Sequence, residues 1–126
     1  MTDLSTQWLT DMSEEVHFLA VEKGWYQDDA PNFAEKIALV HSELSETLEW
    51  YRQGRDPRCI HYTSTVYKDS PGVVEDKPDG IAVELADAII RILDMCAEWD
   101  IPIAEAVQVK HEYNKTRPHR HGGKVC

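Results

Sequence analysis

Two stretches in the middle of the chain repeat apolar residues at helical spacing, and each carries a pair of acids beside its apolar stripe. The first stripe is Phe33, Ile37, Val40, Leu44, Leu48 and Tyr51; the second is Ile81, Leu85, Ala88, Ile89, Ile92 and Cys96. Residues three and four apart share a helix face, and an amphipathic helix is stable only once that face is covered. Two flanking segments repeat the pattern. One runs from about Ser5 to Lys23 with Trp8, Met12, Val16, Leu19 and Ala20 in register and Gly24 as its stop; the other opens at Ile101-Pro102 and continues through Ala106, Val107 and Tyr113 until Arg117-Pro118 ends it. The second helix is expected from Pro31 to Gly54 and the third from Pro78-Asp79-Gly80 to Trp99. With 126 residues, one domain over 1–126 is the natural size. The expected fold is all-α: an antiparallel four-helix bundle with a long inserted connection between helices 2 and 3.

That connection, Arg55–Asp79, is long for a linker inside a small bundle. It contains Ile60-His61-Tyr62-Thr63-Ser64-Thr65-Val66-Tyr67, rich in β-forming residues. It reads as a lid or subunit arm with room for a short hairpin, or else as a disordered surface loop.

Charge narrows the function. Residues 1–107 hold 8 basic and 22 acidic side chains, a net of −14, whereas residues 108–126 hold five basic against one acidic, a net of +4. An acidic body repels nucleic acid, whose binding rests mainly on neutralising phosphates, so no nucleic-acid partner is expected. No apolar run approaches the roughly 20 residues of a membrane span, so no membrane partner is expected either. The start MTDLSTQW places an acid where a signal peptide needs basic and apolar residues. Cys59, Cys96 and Cys126 form no disulfide framework. A cytoplasmic setting is expected. The basic end, 115–126, is either a solvated tail or meets the acidic body at one site.

The chemistry concentrates in two matching hexads, Glu43-Leu44-Ser45-Glu46-Thr47-Leu48 and Glu84-Leu85-Ala86-Asp87-Ala88-Ile89. Glu43 and Glu46 are three apart, so their Cβ atoms lie roughly 5–6 Å from each other on one face, and Glu84 and Asp87 repeat that geometry. Four carboxylates at the edges of two packed apolar stripes repel one another and need a cationic partner. Hard oxygen ligands suit Mg²⁺, with Mn²⁺ as the close substitute. The competing explanation is two solvated acidic helix faces.

The stretch Ile37–Glu46, then Glu84-Leu85-Ala86-Asp87 followed by IIRIL, then Lys110-xxx-Asn114-Lys115-xx-Pro118 with HGGK behind it, resembles the MazG-like nucleotide pyrophosphohydrolases of the all-α NTP pyrophosphatase superfamily, over about residues 31–124. The resemblance implies hydrolysis of an NTP or dNTP to the monophosphate and pyrophosphate. It implies metal ligation by Glu43, Glu46, Glu84 and Asp87, catalytic roles for Glu46 as general base and Glu43 beside it, and a homodimer or homotetramer. It maps more loosely onto Lys110, Asn114 and Arg117 as phosphate-binding groups; Lys115 joins them on charge and position, with cations favouring a helix C-terminus as the plainer explanation. The Arg55–Asp79 insertion departs from the compact family pattern. Lys36 lies two turns before Glu43 and either reaches a phosphate or is a surface lysine. Trp25 and Trp50 either stack on a base or pack. Asp94, seven residues after Asp87, either extends the site or is a surface acid, and His41 reads as a polar contact.

Other constellations are weaker. Cys59-x-His61 with His119-x-His121 and Cys126 has zinc-binding residue types without structural-site spacing. The alternative from another class is a non-catalytic helical module for nucleotide sensing or oligomerisation, and a third is a nucleic-acid adaptor acting through the basic tail.

Overall fold

Asp3 starts the first helix: its carboxylate accepts the Ser5 amide at 3.2 Å, satisfying one of the orphan donors of a helix N-terminus. The resulting α1, Leu4–Glu22, stops just before Gly24, whose φ of 87° suits glycine. The computed structural model describes residues 3–72 and 74–126; Met1 and Thr2, the first two residues of the start read as unlike a signal peptide, and Val73 of the long connection lie outside the described residues. Asn32 caps α2, Phe33–Arg52, by accepting the Glu35 amide at 2.9 Å while donating its own amide to the Glu35 carboxylate at 3.0 Å. Pro31 therefore stands outside the helix, before the cap, rather than in its first turn. After two strands come α3, Ile81–Glu98, and α4, Ile103–Thr116, followed by α5, Arg120–Gly123, a single turn distorted by the left-handed His121 and Gly122.

The long connection folds. Its β1, His61–Val66, pairs antiparallel with β2, Val74–Asp79, with His61 opposite Asp79 and Val66 opposite Val74. A purely all-α four-helix bundle is thus corrected: the described residues form five helices and a two-stranded antiparallel sheet. β1 is the β-rich run already visible in the sequence. β2 reads Val-Glu-Asp-Lys-Pro-Asp, with low intrinsic strand preference, and carries Pro78, which a two-stranded sheet tolerates at its edge. Its pairing is set by the partner strand and not by local propensity.

The chain divides into two units within α3. Asp29–Ile92 holds α2, the hairpin and the larger part of α3; the residues up to Asp28 join Leu93–Cys126 in the second. In the first unit Ile81 and Ala88 are buried along with Lys36 and Thr47. In the second, Leu93, Met95, Cys96 and Ala104 form the buried apolar set, and α1 packs against α4. Ser13 of α1 is buried there and donates its hydroxyl to the Leu93 carbonyl, while the Asp3 amide donates to the Gln108 side chain at 2.9 Å. No helix among the described residues is long and apolar enough to cross a membrane.

Candidate metal centre

α2 and α3 bring three of the four acids together. One carboxylate oxygen from each of Glu43, Glu84 and Asp87 lies within 4.8 Å of the others, and among the described residues this is the gathering of metal-ligating side chains. The helical spacing accounts for it: Glu84 and Asp87 occupy one face of α3, and Glu43 comes from the middle of α2. Thr47, one turn beyond Glu43, is buried and returns its hydroxyl to the Glu43 carbonyl at 2.8 Å. Glu46 is exposed and stands outside the group of three, although its charge reaches Glu84.

Crowding of like charge has a visible consequence. The Glu84 carboxyl is pushed up from its ordinary value of 4.5 to about 7, first by burial, then by its hydrogen bond with Glu43 and the negative charges of Glu43, Asp87 and Glu46. Its place in the first turn of α3 favours the anion by about 0.3–1 kcal/mol, and this is outweighed. The Asp87 carboxyl is raised by burial and by Glu43, with Arg91 and Lys77 pulling in the opposite direction.

Because Glu84 binds its proton more tightly in the folded state, its contribution to stability is complete below the unfolded value of 4.5 and is lost as pH rises through about 7. In metal-free buffer, the melting temperature of wild type is expected to fall relative to Glu84→Gln across that interval. Thermal scans of the two proteins from acid to mild alkali measure the gap; a gap constant with pH would contradict a repulsive cluster.

Arg91 was missed as a site residue. Its Nε donates to Glu43 Oε1 at 3.1 Å and its Nη2 lies 3.1 Å from the same oxygen as an ion pair, orienting that carboxylate and offsetting part of the cluster's charge. The signal was present in the sequence, since Arg91 follows Asp87 by four and Glu84 by seven and so shares their face.

The remaining candidates take varied positions. Lys36 is only 7% exposed, which is not the placement of a surface lysine. Trp50 is half-buried with the Arg55 guanidinium 4.5 Å above its ring, whereas Trp25 is 66% exposed. His41 is exposed. Near the end of α4, Lys110 and Arg117 lie 5.0 and 5.5 Å from the Tyr113 ring, and Lys115 pairs with Glu112 at 2.8 Å. Asn114 lines an open depression of about 450 Å³ with Lys110 and His111. These α4 groups belong to the unit of α1 and α4, and the acids to that of α2 and the hairpin.

Asp94 is neither a surface acid nor a fifth member of the cluster. It is buried and accepts hydrogen bonds from His17 Nδ1 at 2.8 Å and from the Tyr26 hydroxyl at 2.6 Å. His17 Nε2 also lies 3.1 Å from Glu98, and its ring meets that of Tyr26 edge-on. Burial, then the bond to Asp94, holds the Tyr26 phenol well above its ordinary range. Cys59, His61, His119, His121 and Cys126 are all exposed and form no ligand group among the described residues. No family model, curated protein or solved structure matches the chain.

Proposed function

We propose that the chain is a Mg²⁺-dependent nucleoside triphosphate pyrophosphohydrolase of the MazG-like kind, cleaving an NTP or dNTP to the monophosphate and pyrophosphate. The observation that carries this reading is the convergence of Glu43, Glu84 and Asp87 within 4.8 Å, matching three of the four acids that the sequence resemblance singles out. The donor set suits the ion, since Mg²⁺ takes hard carboxylate oxygens. Bound at these acids, a divalent cation supplies charge neutralisation and Lewis acidity toward the phosphates and a water.

The chain's own groups do the rest. Arg91 keeps the Glu43 carboxylate in one orientation. Glu84 must give up its proton to serve as a ligand, so metal affinity is coupled to pH. Glu46, exposed beside the cluster, is free of the tight group and suited to accept the proton of the attacking water. The exposed apolar residues of α1 and α2, Phe18 at 71% and Leu48 at 53% among them, support assembly with further copies as a homodimer or homotetramer. A cytosolic setting fits the three free cysteines.

The test is release of pyrophosphate from a panel of canonical and modified NTPs and dNTPs, with metal-free reactions in parallel. Turnover with Mg²⁺ or Mn²⁺, lost on chelation, is the expected result. No pyrophosphate from any member of the panel sinks the assignment.

A further inference from the structure

Among the described residues β1 and β2 form a sheet of two strands, so each strand keeps one edge with no further strand to bond. The two edges differ in chemistry. β2 carries Glu75, Asp76, Lys77, Pro78 and Asp79, charges and a proline of the kind that keep another strand from pairing. β1 reads His-Tyr-Thr-Ser-Thr-Val and lies within residues 59–67, a run without acid, lysine or arginine. The β1 edge has none of those guards.

The hairpin is also short of cover. Two strands standing alone in water are marginally stable and need further strands or a packed face. In an antiparallel pair directly opposed residues share a face, so Tyr62, Ser64 and Val66 share one with Pro78, Asp76 and Val74. All six are exposed, Tyr62 at 68% and Val66 and Val74 at 63% each. An apolar face thus lies in water beside an unguarded edge.

β1 is moreover complementary to itself. A two-fold axis perpendicular to the sheet at Ser64 sets two β1 strands antiparallel, with Ser64 opposite its own copy. Tyr62 then stands opposite Val66 and Thr63 opposite Thr65, each pair formed twice. Aromatic with β-branched and threonine with threonine are favourable cross-strand pairs. Tyr62, Val66, Val74 and Pro78 of both copies join on one face. Two chains of net charge −10 approach at the lowest electrostatic cost through an uncharged edge. The outer edges of the resulting sheet are the guarded β2 strands, so pairing stops at two copies.

We infer that the free edge of β1 is an interface between two copies of this chain, which pair about Ser64 into a closed four-stranded sheet. This rests on the homodimer or homotetramer proposed above, to which it gives one specific contact, and on no enzymatic activity.

The experiment measures mass by sedimentation equilibrium for wild type, Ser64→Lys and Asp76→Lys. It also follows disulfide formation under mild oxidation for Ser64→Cys and Thr63→Cys, each in a background carrying Cys59→Ser and Cys126→Ser. Ser64→Lys faces Asp76 within its own hairpin but sets two lysines face to face between copies. It is expected to weaken the association by about 10-fold or more, whereas Asp76→Lys, on the strand away from the interface, leaves it unchanged. Ser64→Cys is expected to link two chains, because opposed strand residues lie about 4.5–5.5 Å apart between Cα atoms, within disulfide reach. Thr63→Cys meets its own copy only on the diagonal, at about 7–8 Å, and stays unlinked. An oligomer that Ser64→Lys does not weaken, with Ser64→Cys unlinked, overturns the β1 interface and leaves assembly through the helices standing. Equal weakening by Ser64→Lys and Asp76→Lys, or masses that grow without limit with concentration, overturns the closed pair. A wild type monomeric at every concentration, with Ser64→Cys unlinked, overturns both the interface and the homo-oligomer.

Discussion

Replacing Glu84 by Gln is expected to lower pyrophosphate release by on the order of 10²–10³-fold or more, the size of effect seen when one group stabilising transition-state charge is lost. Gln keeps the shape and the hydrogen-bonding capacity toward Glu43 while removing one of the three clustered carboxylates. The weakened cluster should show directly as a loss of Mn²⁺ affinity in calorimetry. The same substitution relieves the repulsion that pushes Glu84 up to about 7, so above neutral pH the metal-free variant should melt higher than wild type. Activity lost while stability is gained separates a functional acid from a structural one. Glu46→Gln divides the labour further: a large loss of kcat with Mn²⁺ binding retained assigns the base to Glu46. If Glu84→Gln turns over at the wild-type rate, the three acids are not the catalytic metal site.

Asp94→Ala is expected to have the largest effect on stability. The substitution leaves the Tyr26 hydroxyl and His17 Nδ1 without the carboxylate they share at 2.6 and 2.8 Å. Removing the shared acceptor from this part-buried set costs about 1–3 kcal/mol, because two donors lose the carboxylate that accepts from them. For a chain this size, the melting temperature should drop on the order of 10 °C. Asp94→Asn, which keeps one acceptor oxygen, should lose distinctly less. Both variants should still bind Mn²⁺ while folded, because Asp94 is no part of the acidic cluster. A melting temperature unchanged in Asp94→Ala would remove this network from among the interactions that hold α1 to α3.

The four long helices were legible because their signals are local. Apolar residues at i, i+3 and i+4 mark a face, and Gly24 and Pro118 punctuate two of the ends. Observed boundaries depart by a few residues at most, as at Leu4–Glu22 against Ser5–Lys23 and Phe33–Arg52 against Pro31–Gly54. The β-rich run at Ile60–Tyr67 was visible, but its partner was not, since Glu75, Asp76, Lys77 and Pro78 form a strand only because β1 is there to pair with. The site divides along the same line. Glu43, Glu84 and Asp87 followed from spacing on two amphipathic helices, and Arg91 could have, being on their face. The burial of Asp94 and Lys36 depends on tertiary packing, which a spacing rule on one helix cannot supply.

The division of the chain bears on how it is made. Asp29–Ile92 is continuous in sequence, and its hairpin closes over short separations, so its contacts can form while later residues are still being synthesised. The other unit joins Asp3 to Gln108 and Ser13 to Leu93, separations whose closure entropy is met only at the end. Until Gln108 has left the ribosome, α1 waits without α4, and an unpacked amphipathic helix is transiently exposed surface of the kind that invites aggregation.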